Sequence, residues 1–458
     1  MARNKIPVLF TGYPQPNNPF NGTKTVLDYG ADPTGSTNST AAFQRANAAS
    51  LDVVLPSAIP GTPNQFRLAD WTPLDGTVVR SNGPTGYLTP YVTSNIIVKH
   101  SSAADGIIKT NGKKSITLQG FHMKGVDRSL PLIQGGGDNI TLRDITGYEG
   151  FCGYGKIDGT GITMQTSYVE NCFFGNNIYG MKDLIDTTVE GGALFSNKTC
   201  GLYLGAGASF NNINTRYEFN GNSGGGTDGF NIQMFQANEN IIRGTVDAGY
   251  LGGISAISCN NFLIDALVRR NGRLNSGTAN QDCHVFLQDC SDGLITLMSK
   301  AALGDGGVAP TTPKYSVWIF NSDPAKNSNI VFYGDLSGNT VQDFIETGTV
   351  KATGIRNMTM TRDKPRIVTA AGAITVNSYD HVIFANKTVG AATTVNLPAS
   401  PTAGDEYIIK DAKGDAGANN ITITPAAGTI DGSGTLVIST NYGKARIVYS
   451  GTEWNQVS

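Results

Sequence analysis

Four acidic residues share a local setting. Val169-Glu170, Val189-Glu190, Tyr217-Glu218 and Val246-Asp247 each place a carboxylate directly after an apolar or aromatic residue. If the four segments are equivalent strands stacked in parallel, their carboxylates form one ladder at the ~4.8 Å spacing of paired strands. The apolar neighbours then face inward and, by the two-residue period of a strand, the acids face outward. Like charges stacked on adjacent strands repel each other, so such a row needs a purpose. Glycoside hydrolysis supplies one, because a carboxylic acid must protonate the leaving oxygen while a second carboxylate activates water or attacks the sugar. Adjacent rungs would hold the pair ~5 Å apart, suited to retention, and alternate rungs ~9–10 Å apart, suited to inversion. Crowding raises one pKa and keeps that acid protonated near neutrality. The plainer reading is that these acids end strands facing water.

Glu190, Glu218 and Asp247 are the central candidates, with Glu170 at the edge of the row. Asp228 joins them, since it follows the Gly224-Gly225-Gly226 turn and opens the next strand. A sugar chain also needs flat apolar faces, and Tyr203 and Tyr250 are expected to supply them. Arg269, Arg270 and Arg273 form the compact basic cluster of the chain, with His284 a little further on. That cluster suits a second chemistry, β-elimination, in which cations offset a uronate carboxylate while a base removes the adjacent proton. No phosphate-binding loop, nucleophile elbow or H-E-x-x-H pair is present. Asp411, Asp415 and Asp431 lie in turns that match no EF-hand loop, so neither a metal nor a cofactor is expected.

The elements that position these residues follow from composition. Charged residues are 15% of the 458-residue chain, against roughly 25% in ordinary soluble domains. In their place stand 57 Gly and 40 Asn. Gly, Asn and Thr disfavour helices, so the chain should be short strands joined by tight turns. A net charge of -2 argues against a nucleic-acid partner. No run approaches the roughly 18 apolar residues of a membrane-spanning helix, and no membrane insertion is expected. The N-terminal apolar stretch, Ile6 to Phe10, is too short for a signal peptide, which points to synthesis in a reducing cytoplasm. The six cysteines include no C-x-x-C pair and read as small buried fillers.

From about residue 115 apolar triplets recur. They are Ile116-Thr-Leu, Ile140-Thr-Leu, Ile162-Thr-Met and Leu184-Ile-Asp, followed by triplets at Ile213, Ile241, Phe262, Leu294 and Ile330. A unit of roughly 20–50 residues marks a solenoid. Each unit carries two or three alternating strands in place of amphipathic helices, which fits one coil of a parallel β-helix. Upstream, Val26-Leu27 suits a short strand. Ser39 or Thr40 can cap a helix that buries Ala42, Phe43, Ala46 and Ala49.

The segment Val26-Leu-Asp-Tyr-Gly-Ala-Asp through Ala41-Ala-Phe-Gln-Arg-Ala resembles the N-terminal cap of the pectate-lyase-like right-handed β-helix superfamily. Within it, the chain is most similar to bacteriophage tailspikes and capsular polysaccharide depolymerases. Asn38 stands where that family usually has an acid. The stretch Asp405-Glu-Tyr-Ile-Ile-Lys through Asp431-Gly-Ser-Gly resembles the C-terminal domain of phage tail fibres and tailspikes, which implies trimerisation and carbohydrate binding by residues 365–458. The resemblance implies an all-β chain: an N-terminal arm over 1–24, a capping segment and first coils over 25–114, a parallel β-helix with the catalytic groove over 115–364, and a C-terminal β-sandwich over 365–458. It further implies a homotrimer in a virion tail, docked through the arm to a tail or baseplate adaptor protein. Such a spike binds a bacterial surface polysaccharide and cleaves it with paired acids in an outer groove. A lyase and a non-cleaving receptor-binding fibre are the alternatives.

Overall fold

The computed structural model describes residues 24–57, 63–81, 95–156, 166–221, 229–273, 282–300, 312–323, 326, 329–349, 355–359, 365–377 and 379–457. The strands gather into an 18-stranded sheet and a 10-stranded sheet, both parallel throughout. Each coil runs through two strand segments of the larger sheet, turns, crosses as one strand of the smaller sheet and returns. The chain is a right-handed parallel β-helix, the hand favoured by parallel crossovers. Alternation along the strands buries one column of side chains. Leu118, Leu142, Val169, Val189, Ile213, Ile242, Ile264 and Ile295 stack rung on rung in the core.

That column corrects one of the expected triplets, Leu184-Ile-Asp. The strands in those coils are Ser167–Glu170 and Thr187–Phe195. Ile162-Thr-Met lies outside the described residues, and Leu184-Ile-Asp forms the bend ahead of the second strand. In the early coils the two segments of the larger sheet are separate strands, such as Ile140–Arg143 and Thr146–Tyr148. From Thr187–Phe195 onward they run together as one.

At the N-terminal end, Val26–Tyr29 is a 3₁₀ turn instead of the expected strand. The Asp28 carboxylate accepts the Thr25 N–H at 2.6 Å and the Thr25 hydroxyl accepts the Leu27 N–H, which closes a capping box. The helix Thr40–Ala49 follows and buries Ala42, Phe43 and Ala46. Ala49 is exposed, and Asn47 faces inward instead, accepting from the Leu74 N–H and donating to the Thr77 hydroxyl, each at 2.8 Å. Asn38 serves as an acceptor despite lacking an acid, taking the Thr40 N–H at 2.9 Å.

At the other end, Tyr379 stacks on Phe344, with ring centroids 4.9 Å apart. Beyond it lies a second core built on Ile383, Ile409, Ile423, Ile447 and Trp454, between a five-stranded and a four-stranded sheet. Successive strands enter the two sheets alternately and pair in parallel. Only Leu436–Ile438, Lys444–Tyr449 and Trp454–Gln456 add antiparallel edges. The sandwich therefore begins as a two-sided coil and ends in hairpins. All six cysteines are buried.

Candidate active site

The structure divides the four acids into two pairs. Glu170 lies beside Glu190, while Glu218 lies beside Asp247. The neighbour of Glu190 on the next rung is Asn214, and that of Glu218 on the preceding rung is Phe195. The expected single ladder is therefore two columns. Val189-Glu190 belongs to the first segment of its strand and Tyr217-Glu218 to the second, four residues beyond Asn214. At ~3.3 Å per residue this separates Glu190 from Glu218 by roughly 14 Å, beyond the ~6.5–9.5 Å that spans an attacking water. Between the segments, Gly191 and Gly192 adopt φ of 70° and 71° and the register shifts by one residue. A Cβ at Gly192 would stand 1.9 Å from the Cys172 carbonyl oxygen, so this bulge requires glycine.

Glu170 and Glu190 make outward, water-facing contacts. The Arg143 Nε donates to Glu170 Oε2 at 2.5 Å, both side chains being exposed, and the Asn214 amide donates to Glu190 at 3.1 Å. Each acid is thus answered by a neighbouring rung.

The second pair sits where the strands end and the chain turns toward the smaller sheet. Asp247 is fully buried. Its Oδ1 accepts from Arg270 Nε at 2.7 Å, and its Oδ2 accepts from Arg269 at 2.8–2.9 Å and from a second Arg270 nitrogen. Arg270 is itself buried, at a turn residue with φ of 51°. Glu218 keeps 15% of its side chain exposed and meets Arg216 Nε at 3.2 Å. Burial holds its pKa above the ordinary carboxylate value. Arg216 opposes that shift, Asp247 adds to it, and Arg269 and Arg270 oppose it more weakly. The guanidinium groups of Arg270 and Arg273 lie 5.8 and 5.2 Å from the centroid of the Phe219 ring.

Asparagine sets this turn. Asn177, Asn197, Asn220, Asn231 and Asn271 are buried and form a chain: the Asn177 main-chain N–H donates to the Asn197 side chain, and the side-chain amides of Asn197, Asn220 and Asn231 each donate to the Oδ1 of the next. At Gly249 the ladder residue is missing, and Asn231 fills the place, donating to the Asp247 carbonyl at 2.9 Å. A Cβ at Gly249 would meet the Asn231 amide at 2.9 Å and the Gly252 carbonyl at 2.0 Å. His284 continues the row. The Asn271 amide donates to its Nδ1 at 3.1 Å, so Nε2 carries the proton and donates to the Gly338 carbonyl at 3.0 Å. Burial depresses the His284 pKa to about 4. This buried, doubly engaged imidazole is a structural link, which removes it as the elimination base.

Along the helix axis the strand-end column reads Tyr148, Gly175, Phe195, Glu218, Asp247, Arg269. Rings stand on one side of the carboxylates and guanidinium groups on the other. The Phe195 ring lies across Gly175, where a Cβ would come within 2.4 Å of it. Tyr203 stands apart in the smaller sheet. The Lys182 ammonium sits 4.8 Å over its ring, and Tyr179 packs against it at 5.6 Å. One face of the expected sugar platform is therefore taken. Tyr250 is half-buried beside the apolar cluster of Phe230, Leu251 and Phe286. Asp228 lies outside the described residues. Sequence reasoning did not pick out Arg216 or Phe195, and it counted Phe219 only among a wider set of rings. The signal that finds them is the asparagine two residues after each strand end, in Phe195-Ser-Asn197, Glu218-Phe-Asn220 and Arg269-Arg-Asn271.

No known family model matches the sequence. Among solved structures, the chain is similar to the A-module of an Azotobacter vinelandii mannuronan C-5 epimerase, at 16% identity over 73% of this chain and 98% of that one, with a TM-score of 0.47. It is also similar to the N-terminal fragment of bacteriophage phi29 gene product 12, at 16% identity over 81% and 62% of the two chains, with a TM-score of 0.41. The catalytic domain of a GH87 alpha-1,3-glucanase aligns at 11% identity over 80% and 64%, with a TM-score of 0.37.

Proposed function

We propose that the chain cleaves a polysaccharide laid along the helix axis over the strand-end column, with Glu218 protonating the leaving glycosidic oxygen. One observation carries this reading: Glu218 is a half-buried carboxyl whose pKa is raised by burial and by Asp247 on the adjacent rung. A general acid must still hold its proton near the working pH, and this environment favours that. Phe195 and Phe219 offer apolar ring surface beside it. For hydrolysis, Asp247 is the second carboxylate, and its one-rung offset of ~4.8 Å approaches the ~5–5.5 Å of retaining enzymes.

A specific observation favours elimination as a second reading. Both Asp247 oxygens are already engaged, and Arg216, Arg269, Arg270 and Arg273 outnumber the two carboxylates. Surplus guanidinium groups suit a substrate that carries carboxylates of its own. Digestion of purified bacterial capsular, exopolysaccharide and O-antigen preparations separates the readings. Elimination leaves an ultraviolet-absorbing unsaturated uronate, whereas hydrolysis releases saturated reducing ends. Retention of polymer without either product identifies a non-cleaving fibre, and unchanged cleavage by Glu218→Gln removes Glu218 from the chemistry.

On this reading the chain acts as a tailspike at the bacterial surface, docked to the virion tail through residues 1–24. It assembles as a homotrimer through residues 365–458. Sedimentation at three times the 48.3 kDa chain mass is the expected result, and a monomer overturns the assembly.

A further inference from the structure

Two cysteines meet inside one turn of the β-helix. The smaller-sheet strands Gly252–Ile257 and Cys283–Gln288 pair in parallel with Ile257 opposite Gln288, and the register carries through the turn that follows. The Ser258 N–H donates to the Gln288 carbonyl at 2.8 Å, and the Ser291 N–H donates to the Cys259 carbonyl at 3.0 Å. Cys259 and Cys290 therefore hold equivalent places on neighbouring rungs. Their ~4.8 Å separation lies within the roughly 4.4–6.8 Å between Cα atoms that a disulfide spans. No other two of the six cysteines are so placed. Tyr179 separates Cys152 from Cys200, Cys283 faces Gly252 and Tyr315, and Cys172 lies level with Gly192.

The two thiols are fully buried but differ in setting. The Cys259 thiol points to the Ile257 carbonyl at 3.4 Å. The Cys290 thiol lies within donating reach of the Ala256 and Gln288 carbonyls, at 3.3 and 3.4 Å, and of the Cys259 sulfur. The hydrogen bond from Cys290 holds the Cys259 pKa below the ordinary thiol value, against the opposing effect of burial. Burial pushes Cys290 up, and the contact with Cys259 adds to the rise. Sulfur reacts as the thiolate, so Cys259 is the member that reacts first. Ser258 and Asp289, the half-buried residues just before the two cysteines, take φ of 53° and 50°. Opening this one turn admits a molecule as small as hydrogen peroxide while the coil stays folded.

We propose that Cys259 and Cys290 form a peroxide-reactive pair that closes into a disulfide across neighbouring rungs. The Cys259 thiolate attacks one peroxide oxygen. The S–O bond forms as the O–O bond breaks, and the departing hydroxide takes up the proton that Cys259 released. The Cys290 sulfur gives up its own proton and attacks the Cys259 sulfenic sulfur. The S–S bond forms as the S–O bond breaks, and the second hydroxide also leaves as water. Two thiols and one hydrogen peroxide thus become one disulfide and two waters. The bridge encloses residues 259–290, which include Arg269, Arg270 and Asn271, so it staples the coil that covers Asp247.

The test exposes the full chain to hydrogen peroxide, quenches with catalase and counts thiols in guanidinium with a chromogenic disulfide reagent. Two of the six thiols should disappear, with a mass loss of about 2 Da. Chymotryptic cleavage after Phe286 parts Cys290 from Cys283, and the linked peptides should hold Cys259 and Cys290. The melting temperature should rise by a few degrees and return on reduction with dithiothreitol. Cys259→Ala should lose no thiol at the same dose. Cys290→Ala cannot resolve the sulfenic acid and should carry a dimedone adduct at Cys259 after unfolding. Both variants are expected to fold, because Ala237 fills the equivalent place on the preceding rung. A full thiol count in the treated parent, at a dose that oxidises the unfolded chain, overturns the pair. Linkage to another cysteine, or equal thiol loss in Cys259→Ala, does the same. A lowered melting temperature on bridging overturns the stapling of the coil.

Discussion

Glu170–Glu190 and Glu218–Asp247 are both carboxylate pairs on adjacent rungs of one sheet, and each acid follows an inward apolar residue. Their surroundings differ in every other respect. The first pair lies mid-sheet in water, where Arg143 and Asn214 satisfy it from the flanking rungs. The second lies at the strand ends, where the asparagine turn folds Arg270 back over Asp247 and leaves Glu218 half-covered. Outside, solvent screens the repulsion between the two carboxylates. At the turn, burial raises the Glu218 pKa and the neighbouring Asp247 adds to the shift. Position relative to the turn, rather than residue type, decides how deeply each pair is buried.

The largest separation should appear in activity. Glu218→Gln is expected to lose about 10²–10⁴-fold in kcat/KM, the usual contribution of a positioned acid. Glu190→Gln and Glu170→Gln should stay near the parental rate. Initial rates of product release on one polymer preparation check this. Comparable losses at Glu190 would dissolve the distinction between the pairs.

Stability should separate them next. Arg270→Ala leaves the buried Asp247 with Arg269 alone, and breaking a buried pair costs about 3–5 kcal/mol. Arg143→Ala removes an exposed partner of Glu170 and should cost at most about 1 kcal/mol. Urea denaturation of both variants supplies the numbers. An Asp247→Leu/Arg270→Met double variant should recover most of the loss, since apolar replacement of a buried pair is often neutral.

The alternating strands, solenoid repeat, capping helix and C-terminal strands were legible because two-residue periodicity and turn chemistry are written locally. Register was not. Val-Glu and Tyr-Glu look equivalent wherever a strand alternates, so Glu190 and Glu218 aligned although they occupy different segments. The bulge at Gly191-Gly192 hid the offset, because two glycines read equally well as a loop. Aligning instead on Asn197, Asn220 and Asn271 gives the observed register, since a buried amide must meet its counterpart on the next rung. The burial of Asp247 was less accessible still. It depends on Arg270 reaching back across a rung from a left-handed turn residue, a contact that no local pattern announces.

Acid should weaken the inner turn before the outer column. His284 supports the asparagine row in its neutral form, and His122, whose two ring nitrogens have no hydrogen-bond partner, lies buried in an earlier coil. Burial depresses both pKa values to about 4. The folded state thus binds fewer protons than the unfolded chain between roughly pH 6.5 and 4, and stability falls as pH drops through that window. Each ring contributes up to roughly 3 kcal/mol. Melting temperature against pH checks this, and His284→Asn should flatten the acid limb by about half. An unchanged slope would mean that the imidazole already accommodates its proton in the folded turn.

The smallest effect isolates the single interaction that most restrains Glu218. Arg216 lies 3.2 Å away and is the foremost influence holding its pKa down against burial. A general acid is active while protonated, so its pKa sets the alkaline limb of kcat/KM. Removing Arg216 takes away stabilisation of the carboxylate and should move that limb to higher pH. Arg216 is substantially exposed, and exposed pairs contribute about 0.2–1 kcal/mol, or a shift of at most ~0.7 of a pH unit. Arg216→Ala should produce that small upward shift, Arg143→Ala none, and Glu218→Gln should erase the limb. A downward shift in Arg216→Ala would mean that Arg216 acts on the substrate's charge rather than on Glu218. An equal shift in Arg143→Ala would mean that the limb reports the net charge of the sheet and no particular carboxyl.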